Sequence, residues 1–67
     1  MTLGELLNLS RELKGLSLRE LEKKSGVSNA LISQIETGKV PNPGFRTICK
    51  IADVLGVSLK RLGETVE

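Results

Sequence analysis

The residues best suited to chemistry in this chain lie between Ser28 and Thr37. Ala30, Ser33, Gln34 and Thr37 recur at i, i+3, i+4 and i+7, so a helix over this stretch carries them on one face, with Asn29 beside them. That face holds no charge, whereas a helix face that meets only water usually takes Glu and Lys. Asn and Gln combine an acceptor with a donor and match the edge of adenine. Ala, or the methyl of Thr, can touch the methyl of thymine. Small residues plus amides are what a helix needs to enter the major groove of duplex DNA. An ordinary polar face fits the same periodicity, which resolves helices and not ligands.

Such a face is useful only if the helix beneath it is held. Val27, Leu31, Ile32 and Ile35 fall on the other side and supply an apolar stripe for burial. Upstream, Ser17 and Glu20 form a capping box that starts a preceding helix at Leu18. Gly26 suits the left-handed residue that closes that helix, and Ser28 is the N-cap of the next. Two helices joined by a short turn containing Gly, here over about residues 18–36, form a helix-turn-helix. Leu21 is predicted to face the core, with Arg19 and Lys23 lining one side of the first helix of the pair.

The remaining segments read as scaffold. Thr2 and Glu5 form another capping box, so the first helix starts almost at the beginning of the chain. Leu3, Leu6, Leu7 and Leu13 are its predicted core stripe, and Gly15 ends it. Thr37 to Gly44 is a loop by composition, with two prolines, two glycines, Lys39 and Asn42 but no acid. Following the outward-facing helix so closely, it is predicted to lie near a phosphate backbone. The next helix runs from about Phe45 to Leu55. Its predicted stripe is Phe45, Ile48, Cys49, Ala52 and Leu55, widened by Ile51 and Val54. Gly56 stops it, Ser58 caps a short last helix, and Leu59, Leu62 and Val66 form the apolar side of that helix.

With no histidine and a single cysteine among 67 residues, the usual general bases, zinc sites and nucleophile–histidine pairs are unavailable. No Gly-rich phosphate loop is present. The expectation is a protein that is not an enzyme and uses no metal or small-molecule cofactor. Cys49 has no partner for an intrachain disulfide and reads as a small buried hydrophobe. One aromatic residue, Phe45, argues against binding single-stranded nucleic acid, which relies on stacking platforms. No signal peptide and no apolar run long enough for a bilayer occur, so a cytoplasmic protein without a membrane partner is expected. The length suits one domain over residues 1–67, with no β-type alternation, hence an all-α fold. It leaves no room for a sensory domain, so a signal is expected to act through concentration, a partner or proteolysis. The same chain also suits the DNA-binding portion of a longer regulator.

A net charge of +2 says little by itself, but its distribution is uneven. Residues 1–22 carry three cations against four carboxylates, and residues 53–67 two against three. Residues 23–52 carry Lys23, Lys24, Lys39, Arg46 and Lys50 against Glu36 alone. The positive excess surrounds the stretch with the uncharged face, as the footprint of a polyanion partner would.

In its ordered motifs the chain resembles the Cro/CI-type, or XRE-like, helix-turn-helix family of bacterial and phage transcription regulators. The matching elements are the opening L-G-E, Arg11, G-L-S-L-R-E-L, S-G-V-S, I-S-Q-I-E-T-G-K, the region Pro41 to Pro43, and I-A-D-V-L-G-V-S-L. They run from Leu3 to about Leu62. The resemblance implies a five-helix bundle of the lambda-repressor-like kind and sequence-specific binding to double-stranded DNA, generally as a homodimer on a near-palindromic operator. By position it implies that Ser28, Asn29, Ala30, Ser33 and Gln34 face base edges. Ser17, Arg19, Thr37, Lys39 and Asn42 then contact the DNA backbone, assisted by the amide-rich start of the helix at Leu18. Arg11 and Glu36 match an ion pair that braces the motif, and Arg11 is expected to serve a phosphate as well. Two positions depart from the family. Leu18 replaces a common Gln or Thr and removes a polar backbone contact, and Glu22 replaces a common Ala where the two helices approach, with its long side chain expected to lie outward.

The leading reading is a DNA-binding transcriptional regulator, as a repressor. The competing one is a protein-interaction module of the same fold, such as an antitoxin-type partner, because an uncharged face also suits a protein groove.

Overall fold

The computed structural model describes residues 1–58, and within them all regular structure is helical. Four helices follow in order: α1 (Leu3–Leu13), α2 (Leu18–Ser25), α3 (Asn29–Glu36) and α4 (Phe45–Leu55). Both capping boxes form. The Thr2 hydroxyl accepts from the Glu5 N–H at 3.1 Å while a Glu5 carboxylate oxygen accepts from the Thr2 N–H at 2.8 Å. Ser17 and Glu20 repeat the arrangement at 3.1 and 2.8 Å. These bonds satisfy N–H groups that the first turn of a helix leaves without a partner, which is why the two helices begin where they do.

The helices pack as a cycle, α1 on α3 and α4, and α2 on α3 and α4. Leu6 and Leu7 of α1, Leu21 of α2, Val27 of the turn, and Ile32 and Ile35 of α3 are buried at its centre. From α4 come Ile48, Ile51, Ala52 and Leu55, at i, i+3, i+4 and i+7. No buried side-chain polar atom among the described residues lacks a hydrogen-bond partner.

Three of the expected core positions lie elsewhere. Leu13 is 78% exposed. It shares the side of α1 that carries Leu6, but sits about two turns farther along, beside the end of α4 where no described residue covers it. Phe45 is 74% exposed. It is the first residue of α4, and helical side chains lean toward the N-terminus, so its ring projects off the end of the helix rather than into the bundle. Cys49 is only half-buried, because the buried stripe of α4 is centred near Ile48 and Leu55 and Cys49 stands beyond its Ala52 margin. The last helix, with Leu59, Leu62 and Val66, and with it the count of five, lies outside the described residues.

One close approach was not apparent from sequence. A Cβ added to Gly4 would overlap the backbone carbonyl oxygen of Ile35 and stand 2.7 Å from that of Glu36. Gly4 therefore lets the first turn of α1 press directly on the last turn of α3, where no side chain fits.

Candidate nucleic-acid interface

The turn between α2 and α3 is built from local bonds. Gly26 adopts φ +78°, a left-handed conformation that closes α2 as its N–H reaches the Glu22 carbonyl at 2.8 Å. The Ser25 hydroxyl accepts from the Val27 N–H at 3.1 Å, and the Ser28 hydroxyl caps α3 by accepting from the Leu31 N–H at 3.2 Å. Val27 between them is buried, so the turn is pinned to the core at its midpoint.

This holds α3 with Ile32 and Ile35 inward and leaves Ala30, Gln34 and Thr37 exposed, with Ser33 half-buried beside them. Thr37 donates its hydroxyl to the Gln34 carbonyl at 3.4 Å. No charged side chain stands on that exposed face. Exposed cations stand on the neighbouring elements: Arg19, Lys23 and Lys24 on α2, Lys39 in the following loop, and Arg46 at the start of α4. Thr37 and Asn42 come together along a groove between the first turn of α1 and the loop, lined also by Thr2, Gly4 and Val40. Leu18 is half-buried against the core.

At its far end α3 is tied to α1. Arg11 Nε donates to Glu36 Oε2 at 2.8 Å and Nη2 to Oε1 at 3.0 Å, a two-pronged ion pair whose side chains are 12% and 7% exposed. Arg11 Nη1 also donates to the Leu16 carbonyl at 2.8 Å, so the same guanidinium fixes the loop into α2. Its bond to Glu36 holds the Arg11 guanidinium protonated beyond its already high ordinary value. Asn8 adds a third donor, Nδ2 to Glu36 Oε1 at 2.9 Å. Asn8 belongs to no motif of the sequence, and its only signal there is a polar residue one turn before Arg11 on the same helix. A guanidinium has five N–H groups, and three are used here, which leaves two for another acceptor.

Two residues differ from expectation. Glu22 does not lie outward: it is half-buried, and its Oε1 accepts from Asn29 Nδ2 at 2.9 Å. Asn29 is accordingly half-buried and tied to α2 rather than free on the exposed face. The reason is proximity, since Glu22 occupies the site where α2 meets the start of α3, and a carboxylate there finds an amide within reach. The Ser17 hydroxyl spends its acceptor on the Glu20 N–H, and its own hydrogen remains for another partner. Among the described residues no cluster of His, Cys, Asp and Glu could hold a metal ion, and no helix is long and apolar enough to cross a membrane.

A helix-turn-helix family model matches residues 7–62, which takes in all of α2, α3 and α4. The chain belongs to this family, in its Cro/CI or XRE-like branch. Among helix-turn-helix proteins it is similar to the transcriptional regulators SlrR and SinR of Bacillus subtilis. It is 37% identical to each over 60 residues, covering 90% of this chain, 40% of SlrR and 54% of SinR. The transcriptional repressor RghR of the same organism is 43% identical over 59 residues, 88% of this chain and 44% of that protein. The chain thus spans about half the length, or less, of these relatives. No solved structure matches it significantly.

Proposed function

We propose that the chain is a sequence-specific, double-stranded-DNA-binding transcriptional regulator, acting as a repressor, that inserts α3 into the major groove as a homodimer on a near-palindromic operator. The observation that carries this reading is the exposed, uncharged face of α3, with exposed cations on the elements that precede and follow it in the chain. A neutral face of small residues and amides can approach base edges, while those cations hold the phosphates on either side. Ser28, Asn29, Ala30, Ser33 and Gln34 are the proposed readers. Arg11, Ser17, Arg19, Thr37, Lys39 and Asn42 are the proposed backbone contacts, with the two remaining N–H groups of Arg11 as its donors. The relatives named as transcriptional regulators, and RghR as a repressor, support the direction of the reading. Cytoplasmic localisation goes with it.

The test is enrichment of a randomised duplex pool on the purified protein at near-physiological salt, followed by sequencing. Recovery of paired half-sites about one helical turn apart is expected for a dimer. On the best site Gln34→Ala is expected to lose about 1–3 kcal/mol, with nonspecific affinity almost unchanged. Equal losses on specific and random duplexes would remove Gln34 as a reader. Failure of folded protein to enrich any motif would overturn base readout and leave the protein-interaction module.

A further inference from the structure

We infer that Glu22 is a positioning residue that sets the polarity of Asn29 toward DNA, so that the base facing Asn29 is chosen for bearing an amino group, adenine or cytosine, against guanine and thymine. The inference deepens the proposed function and rests on its reading that α3 enters the major groove.

A side-chain amide on a recognition helix has two faces to offer. With its oxygen toward the bases it accepts from adenine N6 or cytosine N4. Flipped by half a turn, it donates to guanine O6 or thymine O4. An unrestrained Asn can do both and discriminates weakly between the two classes. Asn29 is not unrestrained, because Glu22 Oε1 takes its Nδ2 at 2.9 Å and both side chains are half-buried. A carboxylate only accepts, so the amide can turn its nitrogen toward Glu22 but not its oxygen. That leaves Oδ1, which makes no bond to Glu22, to accept from a base. The Glu22 charge acts in the same sense: near the groove it disfavours the carbonyl oxygens of guanine and thymine and favours an amino group. The bond also fixes the first residue of α3 to the last turns of α2 (Leu18–Ser25), a purely structural use that the test must separate.

The experiment compares base preferences of wild type, Asn29→Ala, Glu22→Ala and Glu22→Gln by enrichment from one randomised duplex pool. The operator position that Asn29→Ala flattens identifies the base facing Asn29. At that position wild type is expected to favour adenine and cytosine over guanine and thymine by about tenfold, the effect of one misdirected buried hydrogen bond. Glu22→Ala is expected to abolish most of that preference while leaving the position read by Gln34 unchanged. Glu22→Gln, which can turn either end toward Asn29, is expected to fall between them. Uniform loss of affinity in Glu22→Ala with the preference intact would show a structural fastener and overturn the inference. So would a motif in which Asn29→Ala flattens no position. If wild type enriches no motif at all, the proposed function itself fails, a distinguishable result.

Discussion

Breaking the Arg11–Glu36 pair is the sharpest test of how α3 is held. Exposed ion pairs contribute about 0–1 kcal/mol, whereas removing one partner of a buried pair costs about 3–5 kcal/mol. With side chains 12% and 7% exposed, this pair lies near the buried limit. In a Glu36→Met variant the guanidinium keeps the Leu16 carbonyl and some water, so the loss is less than the full buried value. We expect about 2–3 kcal/mol, the range for charge-assisted hydrogen bonds between poorly solvated groups. A domain of this size has a total stability of roughly 3–10 kcal/mol, so the variant sits near the edge of folding, with Tm lower by about 10–20 °C. Arg11→Met is expected to cost a similar amount, because Glu36 then keeps only Asn8. The double variant should recover part of the loss, since no buried charge is left alone. Urea unfolding of all four proteins gives the coupling energy directly, and we expect at least about 1.5 kcal/mol, little changed by added salt because the pair is shielded from counterions. A coupling below about 0.5 kcal/mol would show that the two side chains meet without bracing the motif.

Other perturbations follow from the same structure. Gly4→Ala is expected to destabilise by about 1–3 kcal/mol, because its methyl group meets carbonyl oxygens of α3 and forces the helices apart; urea unfolding with an unchanged midpoint would refute the close approach. The carboxyls of Glu5 and Glu20 are held below their ordinary value of 4.5, chiefly by backbone N–H groups of Thr2 and Ser17. For a depressed folded pKa the stabilisation is present above the unfolded value and is lost as pH falls through the folded one. The stability difference between wild type and the Glu5→Gln, Glu20→Gln double variant should therefore shrink below about pH 4.5, and a difference constant through the acid range would contradict the assignment. Lys39→Ala is expected to weaken binding to all duplexes alike and to reduce the slope of log affinity against log salt by about 1. A sequence-selective loss would instead make Lys39 a base reader.

What could be read from sequence was mostly what is local. Both capping boxes, the left-handed Gly26 and the Ser28 cap depend on residues within four positions of each other, so their types and spacing already specify the bonds. Helix α4 could be bounded because Gly44 and Gly56 flank an apolar run with helical spacing. Leu13 and Phe45 depart from the expected stripes because periodicity gives an angle around a helix, not the point along its length where neighbours stop covering it. The role of Gly4 could not be read locally, since nothing in its sequence surroundings announces a carbonyl from residues 35 and 36. Asn8 was invisible for the same reason, its partner being 28 residues away. Arg11 and Glu36 could be paired only through the family resemblance, and the Glu22–Asn29 bond required the angle between two helices that sequence leaves open.

These contacts share one consequence for α3. It is a helix of eight residues, about 12 Å long, too short to be stable by itself. Its first turn is fastened by the Ser28 cap and by Glu22 on Asn29; its middle is buried through Ile32; its last turn is clamped by Ile35, the Glu36 ion pair and the bare backbone contact with Gly4. Every tie comes from the inward side or the ends, and the Gln34 side chain makes no hydrogen bond among the described residues, so the outward face is rigid without being occupied. A rigid face binds a rigid partner without the ordering entropy that a mobile one must lose. Variants that loosen the clamp at Gly4 or Glu36 while staying folded should therefore weaken specific binding even though neither residue is a proposed DNA contact, and they should do so chiefly through faster dissociation. Retention of full specific affinity in a folded Gly4→Ala protein would mean that the buried apolar stripe alone positions α3.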